Sequence, residues 1–147
     1  MIIDASKTRV ASRRKTLSEY VKGPPLHGRD KASEHLKNDF HHQGRLYCFE
    51  LARELRLRRD SYDVRNLLAG PQVTGEIDLH TSQFFMQITH AGDVRQEAAD
   101  KSVMVRRCAG LSDYGGPEEI HYMPLEFLDN VAGAKSWILD FLVKTRE

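Results

Sequence analysis

The sequence predicts a single α/β domain in which a mixed central sheet is flanked by helices. Three observations lead to this prediction: helical and extended segments alternate along the chain, 147 residues suit one domain of ordinary size, and 40% of the residues are hydrophobic. With 29% charged residues and a net charge of only +1, the composition differs from that of disordered chains. We expect the domain at 31–147, preceded by an N-terminal arm or helix at 1–30.

The first two predicted elements are helices. Residues 4–21 match a thin amphipathic helix, which the glycines and prolines at 23–28 bring to an end. The strongest helical pattern runs from Ser33 to about Leu57, where apolar residues recur at steps of four and seven. Ser33 is the expected N-cap, and this second helix is expected to belong to the core.

Three extended segments follow the core helix. A weak pattern predicts a strand over 64–69, and two clearer runs at 74–80 and 84–90 predict a β-hairpin closed by a short polar turn. Because side chains alternate along a strand, one face of this hairpin is apolar and the other is polar. The polar face carries Glu76, Asp78 and His80 on one strand and Phe85, Gln87 and Thr89 on the other.

The C-terminal part of the chain predicts a helix, a strand and a second helix. We expect a helix over 93–107, a glycine-rich loop, and a strand at about 119–123. The final helix is capped by Asp129 or Asn130. The residues that it would bury are Ala134, Trp137, Ile138, Phe141 and Leu142. Because helices and strands are interspersed, the sheet is expected to be mixed.

One carboxylate falls within the apolar stripe of the core helix. On an ideal helix this residue is Glu54, and Glu50 lies one turn earlier at the edge of the stripe. A buried carboxylate needs a cation or hydrogen-bond donors, so we expect Glu54 to converge with Asp78 and Gln87. The alternative is that Glu54 reaches water or Arg58 at the end of the helix.

The passage FELARELRLRRDSYDVRNLLAGPQVTGEIDLHTSQFFMQIT resembles the core of the PD-(D/E)XK, or restriction-endonuclease-like, nuclease superfamily. In that family a glutamate-bearing helix precedes a strand, an acidic strand of the form geiD, and a strand with two functional positions separated by one residue. The resemblance covers about residues 45–107. It implies a restriction-endonuclease-like core that acts on DNA or RNA with Mg²⁺ or Mn²⁺.

The resemblance also implies a role for each matched position. Asp78 would bind the metal ion, Glu54 would be the helix glutamate, and Gln87 would stand where the family usually has Glu or Asp. Thr89 would replace the family's lysine. Gln87 offers a carbonyl oxygen but less negative charge, and the Thr89 hydroxyl supplies no positive charge. The active site is therefore expected to be a degraded one, with Asp78, Gln87 and Glu54 as metal ligands.

Compensation for the missing lysine has to come from elsewhere in the chain. The candidates are His80 on the face of Asp78, Lys101 on the helix expected over 93–107, and Arg95. The full set of catalytic candidates is Glu54, Asp78, Gln87, Thr89, His80 and Lys101.

Arginines cluster at the end of the core helix and in the next predicted strand. They are Arg53, Arg56, Arg58, Arg59 and Arg65. Their guanidinium groups suit the phosphates of a nucleic-acid backbone, in a contact that salt would weaken. The alternative is a solvated helix end with no ligand.

Several classes of protein find no support in the sequence. It contains no CxxC pair, no Walker-type motif, no GxGxxG after a strand and no GxSxG, which leaves zinc-ribbon, ATPase, Rossmann and serine-hydrolase functions without a motif. No apolar run approaches the roughly 18 to 20 residues that cross a bilayer. We therefore expect a cytoplasmic protein that does not enter a membrane.

Three functional hypotheses follow from the sequence. The leading one is a nucleic-acid-binding protein or metal-dependent phosphodiesterase whose active site is degraded. The second is a non-catalytic interaction domain, for example a homodimer formed through the N-terminal arm or the C-terminal helix. The third is an α+β domain that binds a small molecule on its polar sheet face.

Overall fold

In the computed structural model, the described residues are 15–23, 26, 30–68, 74–90, 101–113 and 119–145. They form one α/β domain in which helices pack on a five-stranded sheet. The α-helices are α1 (Leu17–Lys22), α2 (Lys31–Glu54) and α3 (Val131–Lys144). The strands are β1 (Tyr62–Leu67), β2 (Glu76–Thr81), β3 (Phe84–Thr89), β4 (Val103–Arg107) and β5 (His121–Tyr122). Short 3-10 helices lie at Arg59–Ser61 and Leu125–Asp129.

The sheet is an antiparallel meander in which each strand pairs with the next along the chain, from β1 to β5. The prediction of a mixed sheet is therefore wrong for the described strands. The error traces to the helix expected over 93–107, because residues 103–107 form β4 instead. Val103 and Val105 pair with Ile88 and Met86, and all four side chains are buried. Burial within the sheet outweighed the helical pattern of this short segment. The rest of that predicted helix, 91–100, lies outside the described residues.

The core helix α2 is confirmed, but it begins earlier than expected. Its N-cap is Asp30, whose side chain accepts a hydrogen bond from the Ser33 backbone N–H, so the expected cap Ser33 lies inside the helix. Gly44 brings α2 close to the sheet, because a Cβ at this position would overlap the side chain of Ile77 in β2. A glycine in the middle of this helix is thus explained by packing rather than by a break.

The two shorter helices have clear capping signals. Thr16 and Glu19 form a capping box, so helix α1 begins only at Leu17, and the part of the predicted helix that covers 4–14 lies outside the described residues. The cap of α3 is Asn130, one of the two residues that the sequence offered. The Arg107 guanidinium then ties the sheet to the end of α3 by donating to the Leu142 carbonyl and the Thr145 hydroxyl.

The hydrophobic core lies between the helices and one face of the sheet. It includes Phe40 and Leu51 from α2 and Ile138 and Phe141 from α3. From the sheet it takes the apolar face of the hairpin, which comprises Ile77, Leu79, Phe84, Met86 and Ile88. Among the residues that the structure describes, no helix combines the length and the apolar character that crossing a membrane requires. The opposite face of the hairpin is mainly polar.

Candidate functional site

The hairpin of β2 and β3 places the polar residues as their alternation predicted. Asp78 pairs directly with Gln87, Glu76 pairs with Thr89, and His80 pairs with Phe85. Directly paired residues in an antiparallel sheet project to the same side. The predicted polar face is therefore confirmed, and Asp78 and Gln87 are neighbours on it.

Asp78 is the most unusual group on this face. It is only 5% exposed, yet its Oδ1 atom has no hydrogen-bond partner within the described part of the chain. Beside it, the Gln87 side-chain amide donates to the Glu76 carboxylate over 2.7 Å. Two carboxyl groups and one amide thus lie together on two adjacent strands.

The Asp78 carboxyl group holds its proton far more tightly than an aspartate in water. Burial, together with a hydrogen bond to Glu76 and the negative charge of Glu76, raises the pKa of Asp78 to about 8. A hydrogen bond from Gln87 and the positive charge of Arg65 act in the opposite direction but are weaker. Near neutral pH this group is largely a neutral carboxylic acid, and an added cation would favour its ionised form.

Arg65 brings positive charge to the same face. It lies in β1 directly opposite Asp78, and its Nε atom forms an exposed ion pair with Asp63 over 3.3 Å. The sequence placed Arg65 among the phosphate-binding candidates, and the structure puts it next to the carboxyl cluster as well.

Glu54 does not join this cluster. Ile77 packs against Gly44 of α2, so Asp78, the next residue of β2, projects to the opposite side of the sheet. Glu54 is exposed at the end of α2, and the sheet therefore separates it from Asp78. The expectation that Glu54, Asp78 and Gln87 converge is wrong for Glu54, because α2 packs on the Ile77 face of the sheet while Asp78 projects from the other face.

Of the three residues expected to replace the missing lysine, His80 and Lys101 make other contacts, and the third lies outside the described residues. The Nε2 atom of His80 lies 3.1 Å from the Gly110 carbonyl oxygen, and its ring packs edge-on against Phe85. Lys101 lies two residues before the start of β4, with its ammonium group over the ring of Tyr122. Arg95 lies outside the described residues.

Thr89 is close to the carboxyl cluster but adds no charge to it. It pairs with Glu76 across the hairpin, and its backbone N–H donates to the carbonyl of Ser102. Within the described ranges, no three His, Cys, Asp or Glu side chains lie together as a set of metal ligands would. Any cation here would rest on two carboxylates and an amide oxygen.

The arginine cluster at the end of α2 is exposed. Arg58 pairs with Asp60 at 3.3 Å, whereas Arg53, Arg56 and Arg59 have no carboxylate at ion-pair distance among the described residues. We name this cluster, together with Arg45 one turn before Phe49, the arginine patch; it comprises Arg45, Arg53, Arg56, Arg58 and Arg59. Sequence reasoning missed Arg45, although its spacing of four residues from Phe49 was a usable signal.

A separate groove of about 860 Å³ opens on the other flank of α2. Glu50 and Glu54 line it from α2, and Asp129 lines it from the 3-10 helix before α3. Leu46, which is 55% exposed, also lines the groove. This is where the structure places the two helix carboxylates.

Comparisons of this chain with protein-family models, with curated proteins and with solved structures found no match.

Proposed function

We propose that this protein acts on nucleic acid with the help of a divalent cation, Mg²⁺ or Mn²⁺, held by Asp78 and Glu76 on the polar sheet face. The observation that carries the proposal is the buried Asp78 Oδ1, which has no partner within the described residues and lies beside a second carboxyl group. A buried oxygen without a hydrogen-bond partner is costly even in a neutral carboxylic acid, and a cation that ionised Asp78 would give that oxygen a partner. The resemblance to the PD-(D/E)XK nucleases is part of this proposal.

The donor set suits a hard cation. Two carboxylates and the Gln87 carbonyl oxygen are oxygen ligands, and Mg²⁺ commonly takes one or two carboxylates and completes its shell with water and substrate phosphates. A cation bound there would neutralise charge on a phosphate and lower the pKa of an attacking water molecule. Asp78 and Glu76 would hold it, Gln87 would orient Glu76 through the 2.7 Å hydrogen bond, and Arg65 would add positive charge at the edge.

Metal binding gives the first test. Because Asp78 is largely protonated near neutral pH, each bound cation should expel close to one proton. Calorimetric titration with Mg²⁺ and Mn²⁺ in two buffers of different ionisation enthalpy would measure this release. Asp78→Asn should abolish both binding and proton release, whereas Asp63→Asn, an exposed carboxylate on the neighbouring strand, should leave both unchanged. The absence of binding by either metal would overturn the proposal.

Cleavage gives the second test. Gln87→Glu restores the carboxylate that the family usually has, and Thr89→Lys restores its lysine, so the double variant should cut single-stranded or duplex DNA or RNA faster than the wild type. The introduced lysine would project beside Glu76, which is the partner of Thr89 across the hairpin. A double variant that binds Mn²⁺ but cuts none of these substrates would contradict the catalytic part of the proposal.

A second candidate function is a non-catalytic interaction domain. The groove beside α2 favours it, because a volume of about 860 Å³ is enough for a ligand or a short segment of a partner. A homodimer that used this groove would cover Leu46. Sedimentation analysis of the wild type and of Leu46→Ser would decide, since only a dimer built on this groove would dissociate in the variant.

A further inference from the structure

Within the arginine patch, two guanidinium groups are held by aromatic rings. Arg45 lies over the ring of Phe49 at 5.6 Å from its centroid, and Arg59 lies over the same ring at 5.1 Å. Arg59 is also 5.0 Å from the centroid of Tyr62, whose ring meets Phe49 edge-on. Three elements contribute: α2, the 3-10 helix at Arg59–Ser61 and the start of β1.

Both guanidinium groups lie over aromatic rings, and Arg59 also donates from Nη1 to the Tyr62 backbone carbonyl over 3.5 Å. Stacking on an aromatic ring uses the face of a guanidinium, while its N–H donors point outward along the edge. Arg45 and Arg59 are exposed, and neither has a carboxylate at ion-pair distance in the described part of the chain. Both guanidinium groups lie over the Phe49 ring. The separation between them is therefore at most the sum of 5.6 Å and 5.1 Å, their distances from its centroid.

Stability of the helix does not account for this concentration of charge. Positive residues favour the C-terminal end of a helix, but that effect is confined to about the last turn and is satisfied by one or two charges. Arg45 lies more than two turns before the end of α2, and Arg59 lies beyond it. Both residues are exposed cations without an ion pair among the described residues, and an anionic ligand would supply one.

Resting on the proposed action on nucleic acid, we infer that Arg45 and Arg59, oriented by Phe49 and Tyr62, bind the phosphates of a nucleic-acid backbone. Phosphate groups accept paired hydrogen bonds from the forked donors of arginine, and a nucleic-acid strand offers phosphates at repeated close spacing. Because the ring faces are covered by guanidinium groups, the contact is with the backbone and carries little preference among bases.

The experiment measures fluorescence anisotropy of a labelled oligothymidine with the full chain at low salt, in the presence of EDTA. Arg45→Ala and Arg59→Ala should each weaken binding by about fivefold to tenfold. Arg59→Lys keeps the charge but loses the planar fork, and Phe49→Leu keeps an apolar side chain but loses the ring, so each should weaken binding by about threefold. Lys31→Ala, at the other end of α2, is the matched control and should bind like the wild type.

The use of EDTA separates this inference from the proposed function. Binding that persists in EDTA, is retained in Asp78→Asn and is lost in the two arginine variants supports the inference, even if calorimetry finds no metal site. Binding that requires Mg²⁺ and is lost in Asp78→Asn but not in Arg45→Ala or Arg59→Ala would overturn it, while the proposed function would stand. Equal affinity of wild type, Arg45→Ala and Arg59→Ala would also overturn it.

Discussion

Asp78 combines two properties that rarely occur together in a residue kept only for packing. Burial removes its carboxyl group from water, and the adjacent Glu76 adds a negative charge, so the folded chain keeps a proton that the unfolded chain releases near pH 4. The folded protein therefore binds more protons than the unfolded chain between these two pKa values. This difference makes the stability of the fold depend on pH.

The sign of that dependence is a prediction. Because the pKa of Asp78 is raised to about 8 on folding, its contribution is fully present below pH 4 and is lost as the pH rises towards 8, with a slope on the order of 1 kcal/mol per pH unit. Asp78→Asn should remove this slope, so the variant should gain stability relative to the wild type between pH 5 and pH 8. Urea denaturation across this range tests it, and parallel curves for the two proteins would contradict it.

Arg56 is strained by the way that α2 ends. It has a φ of 60°, in the left-handed region, at the position that follows the C-cap residue Leu55. The Leu57 N–H donates to the Ala52 carbonyl and the Arg56 N–H to the Arg53 carbonyl, a pattern in which glycine usually occupies the position of Arg56. An arginine in this backbone conformation lowers the stability of the fold. It also places one more positive charge in the arginine patch.

Replacing Arg56 by glycine should therefore separate stability from binding. Arg56→Gly should raise the free energy of unfolding by about 1 kcal/mol because glycine adopts this backbone conformation without strain. The same change should weaken oligonucleotide binding, since it removes a cation from the patch. Arg53→Gly is the control: this residue is helical, so its free energy of unfolding should fall by about 1 kcal/mol. A loss of stability in Arg56→Gly would contradict the account.

Single residues also show what the sequence could and could not reveal about the site. The pairing of Asp78 with Gln87 follows from alternation on two adjacent strands joined by a tight turn, and the structure confirms it. The position of Glu54 does not follow, because it depends on which flank of α2 meets the sheet. Glu76 was placed on the correct face but was not recognised as a partner of Asp78, since only the folded geometry brings in the Gln87 hydrogen bond.

At the level of elements, the contact between α2 and β2 determines how close the helix layer lies to the sheet. Gly44 and Ile77 meet at this contact. Elsewhere in a helix, Gly→Ala adds about 1 kcal/mol of stability, but here the added methyl group has no space. The sign of the effect therefore reports on packing rather than on helix propensity.

Gly44→Ala should lower the free energy of unfolding by roughly 1 to 2 kcal/mol because overpacking outweighs the propensity gain. Ile77→Val removes the side-chain carbon nearest to the added methyl group and should cost about 1 kcal/mol alone. The double variant should lose less free energy of unfolding than the two single variants lose together. Ser136→Ala, exposed in α3, is the control and should be neutral or slightly stabilising. Strict additivity in urea denaturation would show that the two residues do not interact.

The elements that the sequence predicted well are those with long or strictly alternating patterns. Helix α2, the β2–β3 hairpin and α3 have them, and the structure confirms all three. Strand β4 was predicted as the end of a helix because five residues are too few to distinguish the two periods. Its identity depends on pairing with β3, a neighbouring strand that ends 14 residues earlier in the chain, and no local pattern records this contact.

For the molecule as a whole, the net charge is close to zero, but charged residues are unevenly distributed. Twenty-two basic and 21 acidic residues leave a formal charge of +1, yet the arginine patch lies along the C-terminal half of α2 and just beyond it, while Glu50, Glu54 and Asp129 line the groove. A protein of such low net charge exerts little long-range attraction on a polyanion. Any affinity for nucleic acid must therefore come from how charge is arranged on the protein rather than from its total.

We expect binding to depend on salt concentration in proportion to the number of phosphate contacts. Each phosphate contact releases counterions, and for single strands the slope of log K against log salt is about −0.7 per contact. If Arg45, Arg53, Arg56 and Arg59 each engage a phosphate, the slope for oligothymidine should be close to about −3, and each alanine substitution should reduce its magnitude by about 0.7. Lys31→Ala should leave the slope unchanged, since Lys31 lies at the far end of a 24-residue helix. Anisotropy titrations over a series of salt concentrations measure the slope, and a value that the patch substitutions do not alter would mean that the counterions are released elsewhere on the protein.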